Sequence, residues 1–158
     1  MLGFISKVFG GSKSEKDVKS IQPLVAQINQ HFDAYASLSN DELRNKTSLF
    51  RQRITEHLQE TDEKIATLSR QAEELPNTDI NGKDEIYQQV DKLKKDRDTQ
   101  IEEILNQLLP EAFAVVKETA RRFKENAELS ATATELDKTL SVTKDYVRIE
   151  GDKAIYKN

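Results

Sequence analysis

Few side chains in this chain have the chemistry of catalysis, and their spacing decides how far that chemistry reaches. His31 and His57 are the two histidines, the residue type most often used as a general acid or base. They stand on separate helical segments, with no Ser, Cys or second His at the spacing of a catalytic pair or a metal-ligand set. Neither is expected to act in catalysis. Asp and Glu number 28, yet no two stand out from an ordinary charged helix surface as an acid–base pair would. Arg44, Arg51, Arg53, Arg121 and Arg122 could meet a phosphate or an acidic partner through their planar forks. Solvated helix faces and structural ion pairs are the reading favoured for the same five. No Gly-x-x-x-x-Gly-Lys-[Ser/Thr] loop, the cradle of a nucleotide's phosphates, occurs among the 158 residues. The sequence therefore assigns no catalytic, cofactor-binding or metal-binding residue. Asn45-Lys46-Thr47 matches the glycosylation sequon and is read as chance.

A different chemistry, that of surfaces, sits at the start. Residues 1–9 read Met-Leu-Gly-Phe-Ile-Ser-Lys-Val-Phe. Wound as a helix, Gly3, Ser6, Lys7 and Gly10 share one face, and apolar residues cover the rest. Such a helix is too short to be stable alone, and Gly10-Gly11 ends it with a hinge. Leu2, Phe4, Ile5, Lys7, Val8 and Phe9 are the candidate membrane-binding residues. Lys7, Lys13, Lys16 and Lys19 would face an anionic phospholipid surface. Apolar side chains worth about 1.5–3 kcal/mol each when buried suffice for weak anchoring. The rival reading is a helix packed on its own domain.

The elements that must position these groups are helices. Only 36% of the residues are hydrophobic, while 33% are charged. That composition suits long helices that bury a narrow stripe and solvate the rest. The net charge of −4 argues against nucleic acid as a partner. Cysteine is absent, which excludes disulfides, thiolate zinc sites and Cys nucleophiles. No stretch approaches the roughly 20 apolar residues of a membrane span, and the start lacks a signal peptide's cleavage site. The expected location is cytoplasmic.

Ser12-Lys-Ser-Glu15 is a capping-box pattern that predicts a helix from about residue 13. Its stripe is Val18, Ile21, Val25, Ile28, Phe32 and Tyr35, in alternating steps of three and four. The stripe keeps phase across Pro23, so one kinked helix is expected, without the bond to the Lys19 carbonyl. Ser39-Asn-Asp-Glu42 is a second capping box. Beyond it Ile54, Leu58, Thr61, Ile65, Leu68, Ala72 and Leu75 form a coiled-coil seam with one polar member. A turn-rich loop from Leu75 to Gly82 precedes a third helix with Ile86, Val90, Leu93, Arg97, Ile101, Ile104 and Leu108 on its seam. Arg97 there should find an acidic partner or snorkel outward. Two striped helices joined by a short loop should pair antiparallel. Pro110 suits the first turn of a fourth helix, with Ala112, Phe113, Val116, Ala120 and Phe123 on its buried side. Residues 128–143 carry a weak pattern, with a helical turn or two at most. Residues 146–156 read as two short strands around a turn at Glu150-Gly151-Asp152-Lys153.

Two blocks carry a family resemblance. One is Leu38-Ser-Asn-Asp-Glu-Leu-Arg-Asn-Lys-Thr-Ser-Leu-Phe-Arg-Gln-Arg-Ile54. The other is Leu108-Leu-Pro-Glu-Ala-Phe-Ala-Val-Val-Lys-Glu-Thr-Ala-Arg-Arg122. With the short amphipathic start before them, they resemble the N-terminal segment of SecA, the motor ATPase of bacterial protein secretion. The resemblance implies a longer protein that binds ATP and Mg²⁺ and drives secretory preproteins through the SecY channel. It implies acidic phospholipid and the SecY complex as partners of the first helix, and peripheral association with the cytoplasmic membrane. The family's nucleotide contacts lie downstream, so none is placed on these arginines. The family's common pattern joins the blocks by a short linker, whereas about fifty residues intervene here. The resemblance therefore covers residues 1–55 and 108–126 and says little about the segment between. That segment is expected to be a solvated helical decoration, with a partner-binding arm or a homodimer contact as the alternative.

The expected fold is mainly α: an elongated, coiled-coil-like antiparallel hairpin with packed helices and a short C-terminal β-hairpin. The expected divisions are residues 1–13, an amphipathic helix and hinge; 14–55, N-terminal helices; 56–107, the inserted hairpin; 108–127, a signature helix; and 128–158, a weakly ordered segment and strand pair. The expected function is the N-terminal portion of a SecA-like translocase subunit, attaching to membrane and channel and buttressing the motor. This portion alone should not hydrolyse ATP. The alternative is a free-standing, membrane-tethered coiled-coil adaptor without enzymatic activity. The strand pair argues against it, because an isolated hairpin is marginal and implies more sheet.

Overall fold

The computed structural model describes residues 13–157. The candidate membrane-binding residues Leu2, Phe4, Ile5, Lys7, Val8 and Phe9 lie outside them. Four helices and three strands follow in the order α1 (Lys13–Tyr35), α2 (Asn40–Glu74), α3 (Ile80–Glu125), β1 (Glu128–Thr132), α4 (Glu135–Thr143), β2 (Val147–Glu150) and β3 (Lys153–Lys157). The mainly α class is the one expected. The chain divides into two compact units: residues 1–43 with 110–158, and residues 44–109.

In the second unit, α2 and α3 supply the two arms of an antiparallel hairpin, closed by residues 75–79. Leu58, Thr61, Ala72, Val90, Ile104 and Leu108 are buried on it, all of them seam positions. Thr61 is tolerated inside because its hydroxyl donates to Gln100 Oε1 at 2.9 Å. Arg97 finds its acidic partner, with Nε donating to Asp62 Oδ1 at 2.5 Å. Asp79 caps α3 by accepting from the Gly82 amide at 3.0 Å, so the helix starts two residues before Gly82 rather than after it.

In the first unit, α1 runs unbroken through Pro23, as its phase predicts. Its lower half packs Ile28, Phe32 and Tyr35 against Leu38, Leu43, Ala114 and Val115. The second capping box forms in full. Glu42 Oε2 accepts from the Ser39 amide at 2.7 Å, and Ser39 Oγ accepts from the Glu42 amide at 3.2 Å.

Three expectations are corrected here. Pro110 does not start a helix; it lies inside the 46-residue α3. Proline removes one backbone bond, to the Asn106 carbonyl, yet the helix continues past it. Second, of the face of α3 expected to be buried, Ala112 and Phe123 are half-buried but Phe113, Val116 and Ala120 are exposed. Phe113 is 52% and Val116 67% exposed, while Ala114, Glu118 and Arg122 are buried. Third, the end of the chain is a sheet of three strands, not two, in the order β1-β3-β2 with both pairs antiparallel. Between β2 and β3, Gly151 has φ +59°. A left-handed first residue in a two-residue hairpin turn is a glycine position. Residues 128–132 pair with β3 throughout, Ala131 facing Ala154, although Glu-Leu-Ser-Ala-Thr has little strand propensity. A full helix, α4, follows β1, capped by Thr134 and Asp137 in a capping box.

Candidate functional site

The chemistry of the first unit converges where α1 ends. Ala114 on α3 is buried in one cluster with Tyr35 and Leu43. One and two turns later on α3, Glu118 and Arg122 lie beside the α1–α2 corner. Glu118 is fully buried and Arg122 is 9% exposed. Charges so placed must be paired, and they are. Glu118 Oε1 accepts from Arg122 Nε at 2.7 Å and from Arg121 at 2.7 Å, and its other oxygen accepts from Arg121 Nε at 2.8 Å.

The far side of the Arg122 fork reads backbone. One terminal nitrogen donates to the carbonyls of Tyr35 at 3.1 Å and Leu38 at 2.7 Å. The Tyr35 carbonyl lies at the end of α1, where intrahelical donors run out, and the Leu38 carbonyl lies in the corner that follows. The last turn of α1 carries no basic residue of its own, so the guanidinium from α3 supplies the cation that a helix C-terminus favours. Its remaining nitrogen donates to Asn40 Oδ1 at 2.7 Å, and Asn40 in turn donates to the Ser130 carbonyl at 2.9 Å. One side chain thus ties α3 to the end of α1, the corner, the start of α2 and, through Asn40, strand β1.

Two further ties join the sheet to the helices. Asp41 accepts from the Thr132 amide at 2.7 Å and its hydroxyl at 2.8 Å, with Lys153 3.6 Å away. Buried Asp137 accepts from the Tyr156 hydroxyl and from the Thr134 amide, and the Tyr156 ring meets Phe123 edge-on at 6.3 Å.

Electrostatics agree with a holding role. The Arg121 guanidinium keeps the Glu118 carboxyl below its ordinary range, and burial opposes that shift less strongly. The Thr132 backbone N–H does the same for Asp41. Among the described residues no buried side-chain polar atom lacks a hydrogen-bond partner, and no group of three or more His, Asp or Glu could hold a metal ion. Nothing at the corner is aimed at a ligand.

The other residues singled out by type fall elsewhere. His31 lies beside Tyr35, with ring centroids 6.0 Å apart. His57 is exposed on α2, in the other unit. Arg121 and Arg122 are structural ion-pair residues, as favoured. Sequence reasoning missed the buried Glu118–Arg122 pair. The available signal was Ala114, Glu118 and Arg122 in steps of four, a pattern that more often marks a solvated face. On the hairpin, an open groove of about 470 Å³ is lined by Glu60, Glu63, Lys64, Thr67, Leu68, Gln71 and Leu93. It converges no reactive groups. Among the described residues no helix is long and apolar enough to cross a membrane.

The SecA DEAD-like domain family matches residues 5–134. The protein translocase subunit SecA of Flavobacterium psychrophilum is 46% identical over 154 residues, covering 98% of this chain and 14% of that protein. The subunit of the same name from Amoebophilus asiaticus is 44% identical over 158 residues, 100% of this chain and 14% of that protein. That of Christiangramia forsetii is 46% identical over 157 residues, 99% of this chain and again 14% of the relative. The chain therefore spans about one seventh of the length of the curated relatives it matches. The similarity runs through residues 56–107, so the hairpin is common to these relatives, more than the two blocks alone implied. No solved structure matches the chain.

Proposed function

The chain belongs to the SecA family, and from that premise we propose that it is the N-terminal portion of an ATP-driven protein translocase subunit. The whole protein would move secretory preproteins through the SecY channel. Residues 1–13 would attach it to anionic phospholipid and to the channel complex, at the cytoplasmic face of the membrane. The first compact unit would buttress the motor.

The observation that carries the buttress is the orientation of α3. Its charged face is buried and fully bonded, while Phe113 and Val116 point outward at 52% and 67% exposure. Two large apolar residues one turn apart on a helix whose polar side is already used mark a surface meant to be covered. The rest of the longer protein is the covering proposed.

The family implies ATP and Mg²⁺. The 158 residues contain no phosphate-binding loop, and no described carboxylate cluster suits a metal ion. No step involving either is assigned to this chain.

The buttress is tested with Phe113→Ser/Val116→Ser. In the 158-residue chain, loss of two exposed side chains should leave stability within about 0.5 kcal/mol. In the full-length protein the same pair should lower the melting temperature and the transport rate. An unchanged full-length protein would remove the reason for the proposal.

A further inference from the structure

The stripe on α1 is covered along only half its length. Tyr35 is buried, and Ile28 and Phe32 pack against the Tyr35–Leu43–Ala114 core. Toward the N-terminus the same stripe continues with Val18, Ile21 and Val25, which are 50%, 52% and 45% exposed. Three β-branched side chains in steps of three and four form a ready helix-packing seam.

The chain holds a matching seam directly before it. Leu2, Ile5 and Phe9 repeat the same steps of three and four. Gly10-Gly11-Ser12 separates them from Lys13, where α1 begins. A connection of three residues is in the range that joins antiparallel helices. Folding back at Gly10-Gly11 would place Ile5 opposite Val18 and Leu2 opposite Ile21. Residues 1–9 are long enough to reach both, at about 1.5 Å of rise per residue.

We propose that the Val18–Ile21 face of α1 is the resting dock of this chain's own residues 1–9. Leu2 and Ile5 cannot cover α1 and enter a lipid surface at once, so the dock competes with attachment. This second statement rests on the anchor reading above; the dock itself does not. The device is a latch: undocked residues bind membrane, and docked residues are withheld.

The absence of cysteine makes a disulfide test clean. Ile5→Cys/Val18→Cys in the 158-residue chain should oxidise rapidly to an intramolecular disulfide, while Ile5→Cys/Ser20→Cys, on the opposite side of α1, should not. Equal rates for the two pairs, or a product linking two chains, would overturn the dock. For the latch, Val18→Ser/Ile21→Ser should raise affinity for phosphatidylglycerol-containing vesicles on the order of tenfold. The oxidised Ile5/Val18 pair should lose vesicle binding and regain it with reductant. Vesicle binding that is indifferent to both changes refutes the latch. If deleting residues 1–9 leaves vesicle binding intact, the anchor reading fails, and the disulfide comparison still decides the dock.

Discussion

At the scale of single residues, Arg122 decides more of this fold than any other polar side chain. Its fork satisfies one end-of-helix carbonyl, one corner carbonyl, one amide side chain and one buried carboxylate at once. Arg122→Ala should cost about 3–5 kcal/mol, the range for removing one partner of a buried charge pair. Urea denaturation of the chain measures it. Arg122→Lys should recover little, because an ammonium cannot repeat the planar fork. Glu118 adds a pH dependence. Folding depresses its pKa, so the unfolded chain takes up the proton first as pH falls. Its contribution is whole above the ordinary carboxylate value of 4.5 and fades as pH drops through the lower folded value. Glu118→Gln should be less stable at neutral pH and should lose less stability between pH about 7 and about 3 than the parent chain. An acid loss in the variant equal to the parent's would show that other carboxylates dominate.

At the scale of elements, legibility followed periodicity. The hairpin seam, the Ser39–Glu42 capping box, the passage of α1 through Pro23 and the β2–β3 turn were all readable, because each is a local rule written in adjacent residues. Tertiary override explains the rest. Strand β1 has poor propensity and forms because β3 and Asp41 satisfy its backbone. Pro110 was read by its local rule, yet α3 continues past it. The face of α3 was misjudged because apolar Phe113 and Val116 were expected inside, and a bonded Glu118–Arg122 pair took that place. The candidate site was therefore legible as residues but not as an arrangement. The hairpin's independence is open to test. Leu68→Pro, at a cost of about 3 kcal/mol or more, should abolish amide protection across residues 44–109 in hydrogen exchange. Protection of Tyr35, Leu43 and Ala131 should survive. Loss of protection in both units would mean that they fold as one.

At the scale of the whole molecule, the proposed roles are attachment and support. Deleting residues 1–9 should abolish sedimentation with anionic liposomes while leaving helicity nearly unchanged, as circular dichroism would report. The 158-residue chain should show no ATPase activity, since its sequence contains no Gly-x-x-x-x-Gly-Lys-[Ser/Thr] motif. The measurement that tests the central claim most directly is transport by the full-length protein. Combined with inverted membrane vesicles that contain the SecY channel, it should carry a secretory preprotein into a protease-protected state, and only when ATP is supplied. Protection that is absent, or equal with and without ATP, would contradict the translocase reading.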